Sequence, residues 1–254
     1  MAEHEDPWIA GSLAALATDR AEVGDEQGSL AAAERLLGFA HEADPDVRAT
    51  VSAGLVNLAI TLEKGGDFAG AAAAGERLVA VFTDRSDQAV RVNLARGMHN
   101  LALHRAKAGD LPGAVAAGLL LVETYSGGET DPDVRDAVAR GMRNLAIDQA
   151  DGGDLPAAIA TGQTLTDRYG DDTVASVRAA VSGAMVNLAD HLARAGRPDE
   201  STAAAERLIA MFGTDDDASV QLSVDRARSD LQSRQIAPGE ADGPHTLSEF
   251  LGGD

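Results

Sequence analysis

From residue 44 onward the apolar positions fall in a helical rhythm. Val47, Val51, Gly54, Leu58 and Leu62 are separated by 4, 3, 4 and 4 residues, which places them on one face of an α-helix. The same columns hold Val90, Leu94, Gly97 and Leu101, then Val134, Val138, Gly141 and Leu145, then Val177, Val181, Ala184 and Leu188. Gly66 stops the first of these helices, as glycine does where the chain must turn left-handed. Asp67 can cap the next helix. In Asp110-Leu111-Pro112 and Asp154-Leu155-Pro156 the proline sits in a first turn, where no N–H bond is lost. The second helix carries Ala71, Gly75, Leu78 and Phe82, followed one unit on by Ala114, Gly118, Leu121 and Tyr125, then Ala158, Gly162, Leu165 and Tyr169. Small residues four apart let a neighbouring helix come close, and the aromatic closes the end. Each unit therefore reads as two antiparallel helices, the first about 20 residues or roughly 30 Å long, the second about 15 residues.

The unit recurs at a fixed period. Asn57-Leu58-Ala59 returns as Asn100-Leu101-Ala102, Asn144-Leu145-Ala146 and Asn187-Leu188-Ala189, in steps of 43, 44 and 43 residues. Gly66-Asp67, Gly109-Asp110 and Gly153-Asp154 keep the same register, and Gly196 keeps the glycine. Phe82, Tyr125, Tyr169 and Phe212 each lie 25 residues after their Asn. One structural unit is thus used several times. Repeats are expected at about 44–86, 87–130, 131–173 and 174–216.

The ends depart from the pattern, as capped arrays require. Residues 26–41 match the second helix through Glu34-Arg35-Leu36, and a short helix around Trp8 to Ala21 is expected before them, in an N-terminal segment 1–25. In a cap helix, 217–236, Val220, Val224, Ala227 and Leu231 keep the first-helix columns, while Asp230 replaces the Asn beside Arg226, Arg228 and Ser229. Residues 237–254 are rich in Pro, Gly and charge and read as a flexible tail whose apolar island is Thr246-Leu247-Ser248-Glu249-Phe250-Leu251.

Composition narrows the possibilities. Aromatics are 3% of 254 residues and alanine is abundant, which suits closely packed helices. There are no cysteines, so disulfides, a thiolate nucleophile and Cys-ligated metals are excluded. No apolar run approaches the length of a membrane span. The N-terminus is acidic, unlike a secretory signal, and a cytoplasmic setting is expected. A net charge of −20 repels phosphate backbones and makes nucleic acid a poor partner.

The Asn-Leu-Ala run, followed by Gly-Asp-Leu and a small residue four further on, resembles the tetratricopeptide repeat. It is most similar to the longer variant found in kinesin light chains. The resemblance covers about residues 26–235, with a period of 43–44 against about 34 in the common repeat; the extra residues lengthen the first helix at its start. The resemblance implies an all-α fold, an α-solenoid of antiparallel helix pairs wound in a right-handed superhelix. It also implies a binding scaffold with a concave groove lined by the first helices.

On that resemblance, the groove positions lie four and one before the Asn, then three, six and seven after it. They are Ala53, Val56, Ile60, Glu63 and Lys64; Arg96, His99, Leu103, Ala106 and Lys107; Arg140, Arg143, Ile147, Ala150 and Asp151; Gly183, Val186, Asp190, Ala193 and Arg194; and Arg226 in the cap helix. The middle of the groove reads as basic with an apolar floor. Guanidinium groups pair bidentately with carboxylates, so a carboxylate-rich peptide or a chain terminus fits. The candidate partner-binding residues are Arg96, His99, Asn100, Leu103, Lys107, Arg140, Arg143, Asn144, Ile147, Asn187 and Arg226. The Asn column is open to two readings: holding a bound backbone, as in related repeats, or bonding an adjacent turn. A separate column, Arg48, Arg91, Arg135 and Arg178, reads as structural; Asp44, Asp87 and Asp131 stand four residues before the first three, the spacing of helical ion pairs.

Little points to catalysis. The histidines, at 4, 41, 99, 104, 191 and 245, form no metal-binding spacing, and Asp215-Asp216-Asp217 lacks a calcium-loop pattern. No phosphate loop or nucleophile elbow occurs. No catalytic residue, metal or cofactor is expected. The leading expectation is a protein-binding scaffold for a protein or peptide partner. A self-associating array, with the homo-oligomer it entails, is the alternative, and a small-molecule sensor or enzyme is less favoured.

Overall fold

The computed structural model describes residues 6–84 and 86–236. These form eleven helices: α1 (Asp6–Glu22), α2 (Glu26–Leu37), α3 (Pro45–Lys64), α4 (Phe68–Phe82), α5 (Gln88–Lys107), α6 (Leu111–Thr124), α7 (Pro132–Asp151), α8 (Leu155–Tyr169), α9 (Ala175–Arg194), α10 (Pro198–Phe212) and α11 (Ala218–Ile236). The tail expectation for 237–254 lies outside the described residues. None of these helices is long and apolar enough to cross a membrane.

The glycine column makes the turns. Gly24, Gly66, Gly109, Gly153 and Gly196 all have φ between 73° and 87°, where a side chain is strained. The next residue caps the second helix. The carboxylates of Asp25, Asp67, Asp110 and Asp154 accept from the backbone N–H three residues on, at 2.9, 2.8, 3.0 and 3.0 Å. Arg197 stands in the fifth turn and gives no side-chain cap. Gly24-Asp25 therefore belongs to the same column, one unit earlier than the Asn-Leu-Ala marks reach. α1 and α2 form a helix pair, and α1 packs along α3 as successive first helices do throughout.

Packing is interlocked by leucine and glycine. Leu78 of α4 fills the space over Gly97 of α5, and Leu121 of α6 does the same over Gly141 of α7. In the other direction Leu101, Leu145 and Leu188 seat against Gly75, Gly118 and Gly162. Phe82, Tyr125, Tyr169 and Phe212 are buried at the helix ends, and the Tyr125 hydroxyl donates to the Arg91 carbonyl at 2.7 Å. Each first helix packs on the next first helix, whereas no two second helices come within 8 Å, Cα to Cα, among the described residues. The first helices thus form one continuous wall, and the second helices meet behind it through side chains, as in the Arg77–Glu34 and Arg207–Asp167 pairs.

The arginine column is structural, but its partners differ from the helical pairs expected. Arg48 pairs with Asp87 at 2.8 Å, Arg91 with Glu129, Arg135 with Asp172 at 2.8 Å and Arg178 with Asp215 at 2.7 Å. Each bridge joins one repeat to the loop that starts the next. The carboxylates four residues earlier are otherwise engaged: Asp44 accepts from the Asp46 N–H, and Asp131 from those of Asp133 and Val134. Arg48, Arg135 and Arg178 also donate to carbonyls of their own incoming loops.

Candidate interaction groove

The wall of first helices carries a row of hollows. The first, about 600 Å³, lies between α1 and α3, with Ala14, Ala53, Asn57, Ile60 and Lys64 in its lining. A smaller one of about 170 Å³ is formed by Leu103, Ala106, Asn144, Ile147 and Asp148. Between α7, α9 and α11 a cavity of about 280 Å³ is lined by Arg143, Ile147, Gly183, Val186, Asn187, Leu222, Ser223 and Arg226. It shares Arg143, Gly183, Leu222 and Ser223 with a neighbouring hollow of about 650 Å³ that also takes in Arg140. The structure thus brings together Arg143, Ile147, Asn187 and Arg226 at one place, and Leu103, Asn144 and Ile147 at the next.

Asn57, Asn144 and Asn187 of the Asn column line these hollows. Asn57, Asn100, Asn144 and Asn187 make no side-chain hydrogen bond to the described residues, and of the asparagines only Asn93 does, to Ser52 Oγ at 2.9 Å and the Ala49 carbonyl at 3.4 Å. The bond to an adjacent turn is therefore not formed. Each amide keeps two donors and an acceptor.

The charge of the groove is largely settled internally, which corrects the expected basic middle. Arg96 reaches Asp133 at 3.2 Å, Arg140 pairs with Asp136 one turn before it, and Lys107 pairs with Glu63. Glu63 also meets the buried His104 at 3.2 Å. Lys107 first, and His104 after it, hold its carboxyl below the usual range despite burial. His99 is no cation: burial, and then Arg140, push its imidazole down to about 4, so it is neutral at physiological pH. Its Nδ1 is buried without a partner.

Two candidate cations remain uncompensated. Arg143 has no ion pair among the described residues, and its Nε is buried and unbonded. Burial, with Arg140 nearby, lowers its pKa. Its guanidinium lies over Gly183, where an added Cβ would sit 3.4 Å from one terminal nitrogen. Arg226, exposed on α11, likewise has no carboxylate partner among the described residues. Leu222, one turn before Arg226, lies outside the Asn-based groove positions, so column spacing does not reveal it. It stands 73% exposed at the rim. Asp148, also outside those columns, is 8% exposed in the central hollow. Burial, with Asp151 adding, lifts its carboxyl to about 6. No group of three or more His, Cys, Asp or Glu suited to a metal occurs among the described residues.

Helix pairs stacked through their first helices, a left-handed glycine at every turn and a lined inner wall decide the architecture. The fold is a tetratricopeptide-like solenoid. Among solved structures it is similar to BtubC (BKLC) from P. vanneervenii, at 17% identity over 99% of this chain and 91% of that one, with a TM-score of 0.54. It is also similar to a putative kinesin light chain with nearly identical TPR-like repeats from Podosopora anserina, in two structures. A single-substitution form is 17% identical over 81% of this chain and 95% of that one, with a TM-score of 0.51. The other structure is 15% identical over 90% and 98%, with a TM-score of 0.50. No protein-family profile and no curated protein sequence matches the chain.

Proposed function

We propose that this protein is an interaction scaffold that holds an extended, carboxylate-bearing peptide of a partner protein across its first helices, in a cytoplasmic setting. The observation that carries the reading is the row of four unbonded asparagine amides on successive first helices. Packed helices lie about 8–10 Å apart, and an extended chain advances about 3.3 Å per residue. One amide therefore meets a peptide backbone about every three residues. The hollows between the amides receive side chains, and Arg143 and Arg226 take a carboxylate through charged hydrogen bonds. A carboxylate-free ligand gains nothing from that last contact, and this is where selectivity would arise.

The test is capture of partners from the native host by wild type and by Asn144→Ala/Asn187→Ala. The reading requires the variant to lose capture at least tenfold while its melting and its mass by light scattering stay unchanged. Equal capture would remove the amide row as the binding element. A change in mass without a change in capture would favour the self-associating array.

A further inference from the structure

The cavity between α7, α9 and α11 presents two guanidinium groups without counter-charge among the described residues, in a protein whose net charge is −20. Arg143 is the more telling, since a buried, unbonded Nε is costly unless something meets it. The apolar part of the lining is Ile147, Val186 and Leu222, and Leu222 is 73% exposed. An occupant must bring carboxylates and apolar side chains together within a few residues.

One such segment belongs to this chain. Residues 246–254 read Thr-Leu-Ser-Glu-Phe-Leu-Gly-Gly-Asp. Glu249 and Asp254 supply two carboxylates, and Leu247, Phe250 and Leu251 supply the apolar side chains. We infer that residues 246–254 fold back along α11 and occupy the cavity framed by Arg143, Asn187 and Arg226. The reach is sufficient. Arg226 lies ten residues before Ile236, the last residue of α11, or about 15 Å along the helix. Residues 237–245 span up to about 30 Å when extended. Tethering places the segment at an effective concentration on the order of millimolar, so modest contacts fill the site. A partner peptide then enters this end of the groove only by displacing the tail, which makes the tail a built-in competitor. The inference stands on the cavity and the segment, and holds whether or not a partner uses the rest of the groove.

The experiment uses the full chain with the photo-reactive p-benzoylphenylalanine at position 250. Cross-links are mapped by mass spectrometry in a mixture of isotopically light and heavy chains. They are expected within one chain and concentrated on Val186, Leu222 and their immediate neighbours. Arg143→Glu/Arg226→Glu should cut the yield at least tenfold with melting unchanged, and adding Glu249→Arg/Asp254→Arg should restore it. If the charge reversal disturbs melting, Arg143→Gln/Arg226→Gln is read in the same way. Cross-links spread over the surface, cross-links joining light to heavy chains, or a yield indifferent to the arginines would each overturn the inference. The cross-links are read on the chain alone with no partner present, so partner capture that proves indifferent to the asparagine amides leaves this inference standing, and the two ideas fail separately.

Discussion

A side chain at Gly118 would press on the root of Leu145: an added Cβ lies 3.1 Å from the Leu145 Cβ, a tight contact that the neighbour must relieve by a few tenths of an ångström. The contact differs from that between Gly97 and Leu78, where the atom in the way, at 2.1 Å, is the terminal Cδ2. A leucine tip can swing aside. A Cβ moves only with its backbone.

Gly118→Leu should therefore destabilise by about 1–3 kcal/mol through overpacking, and by more than Gly118→Ala, because Ala33 and Ala205 occupy the same column in other units. Thermal melting followed by circular dichroism checks the ranking. An unchanged melt for the leucine variant would mean that the column does not carry the interface between repeats.

The turn before α10 lacks the carboxylate found in the four earlier turns. Arg197→Asp should add the missing cap and stabilise by about 0.5–1 kcal/mol, less whatever the exposed Arg197–Glu200 pair contributes. Asp154→Ala should cost about 1 kcal/mol. Opposite shifts in melting temperature are the expected result. A lower melting temperature for Arg197→Asp would count against the capping account.

The inter-repeat bridges should appear in the acid limb of stability. The Arg178 hydrogen bond, with the Asp217 N–H adding, holds the Asp215 carboxyl below its ordinary 3.8. A carboxyl with a depressed folded-state pKa contributes stability that is present above 3.8 and is lost as pH falls through the lower folded value. Arg178→Ala should lower stability at neutral pH and flatten the decline below about pH 4, as read by denaturant titration at a series of pH values. Parallel acid limbs for variant and wild type would show that the bridge carries no linkage.

Asp148 has the opposite sign. Its carboxyl is raised from 3.8 to about 6 in the folded protein. The folded state then holds the proton more tightly, and stability falls as pH rises from about 4 through 6. That gap corresponds to at most about 3 kcal/mol. Asp148→Asn should match wild type near pH 3.5 and exceed it by about 1–3 kcal/mol at pH 7.5. Equal stability at both pH values would place this carboxyl in water.

Much of this architecture is legible in the chain because its physics is local. A glycine that must take positive φ, an aspartate that must follow it and an apolar face with helical spacing leave marks at fixed intervals. Gly24-Asp25 carries the same marks but stands outside the series that the Asn columns define, since no Asn-Leu-Ala precedes it and α1 keeps only the packing of a first helix. The groove is less legible. Arg96 finds Asp133 on another helix, a pairing that spacing along one helix cannot reveal. The Asp136–Arg140 pair is visible in principle as an i,i+4 spacing. The ion-pair column fails for a related reason: Asp44 and Asp131 have two uses open to them, and capping their own helices takes precedence over pairing with the arginine four residues on. Leu222 escapes the columns because it lies eight residues before Asp230, a position that the groove columns do not include.

The separation of the second helices has a mechanical meaning. With one edge of the stack in continuous backbone-close contact and the other joined only by side chains such as the exposed Arg77–Glu34 and Arg207–Asp167 pairs, the easiest deformation is a change of curvature, as in a leaf spring clamped along one side. The span across the groove, and with it the spacing between the free amides, is then an adjustable dimension. Distances between spin labels placed on α4 and α10 should accordingly spread more widely than distances between labels on α5 and α7. A ligand that bridges several first helices would fix the arc, and its affinity would depend on how far the spring has to bend to meet it.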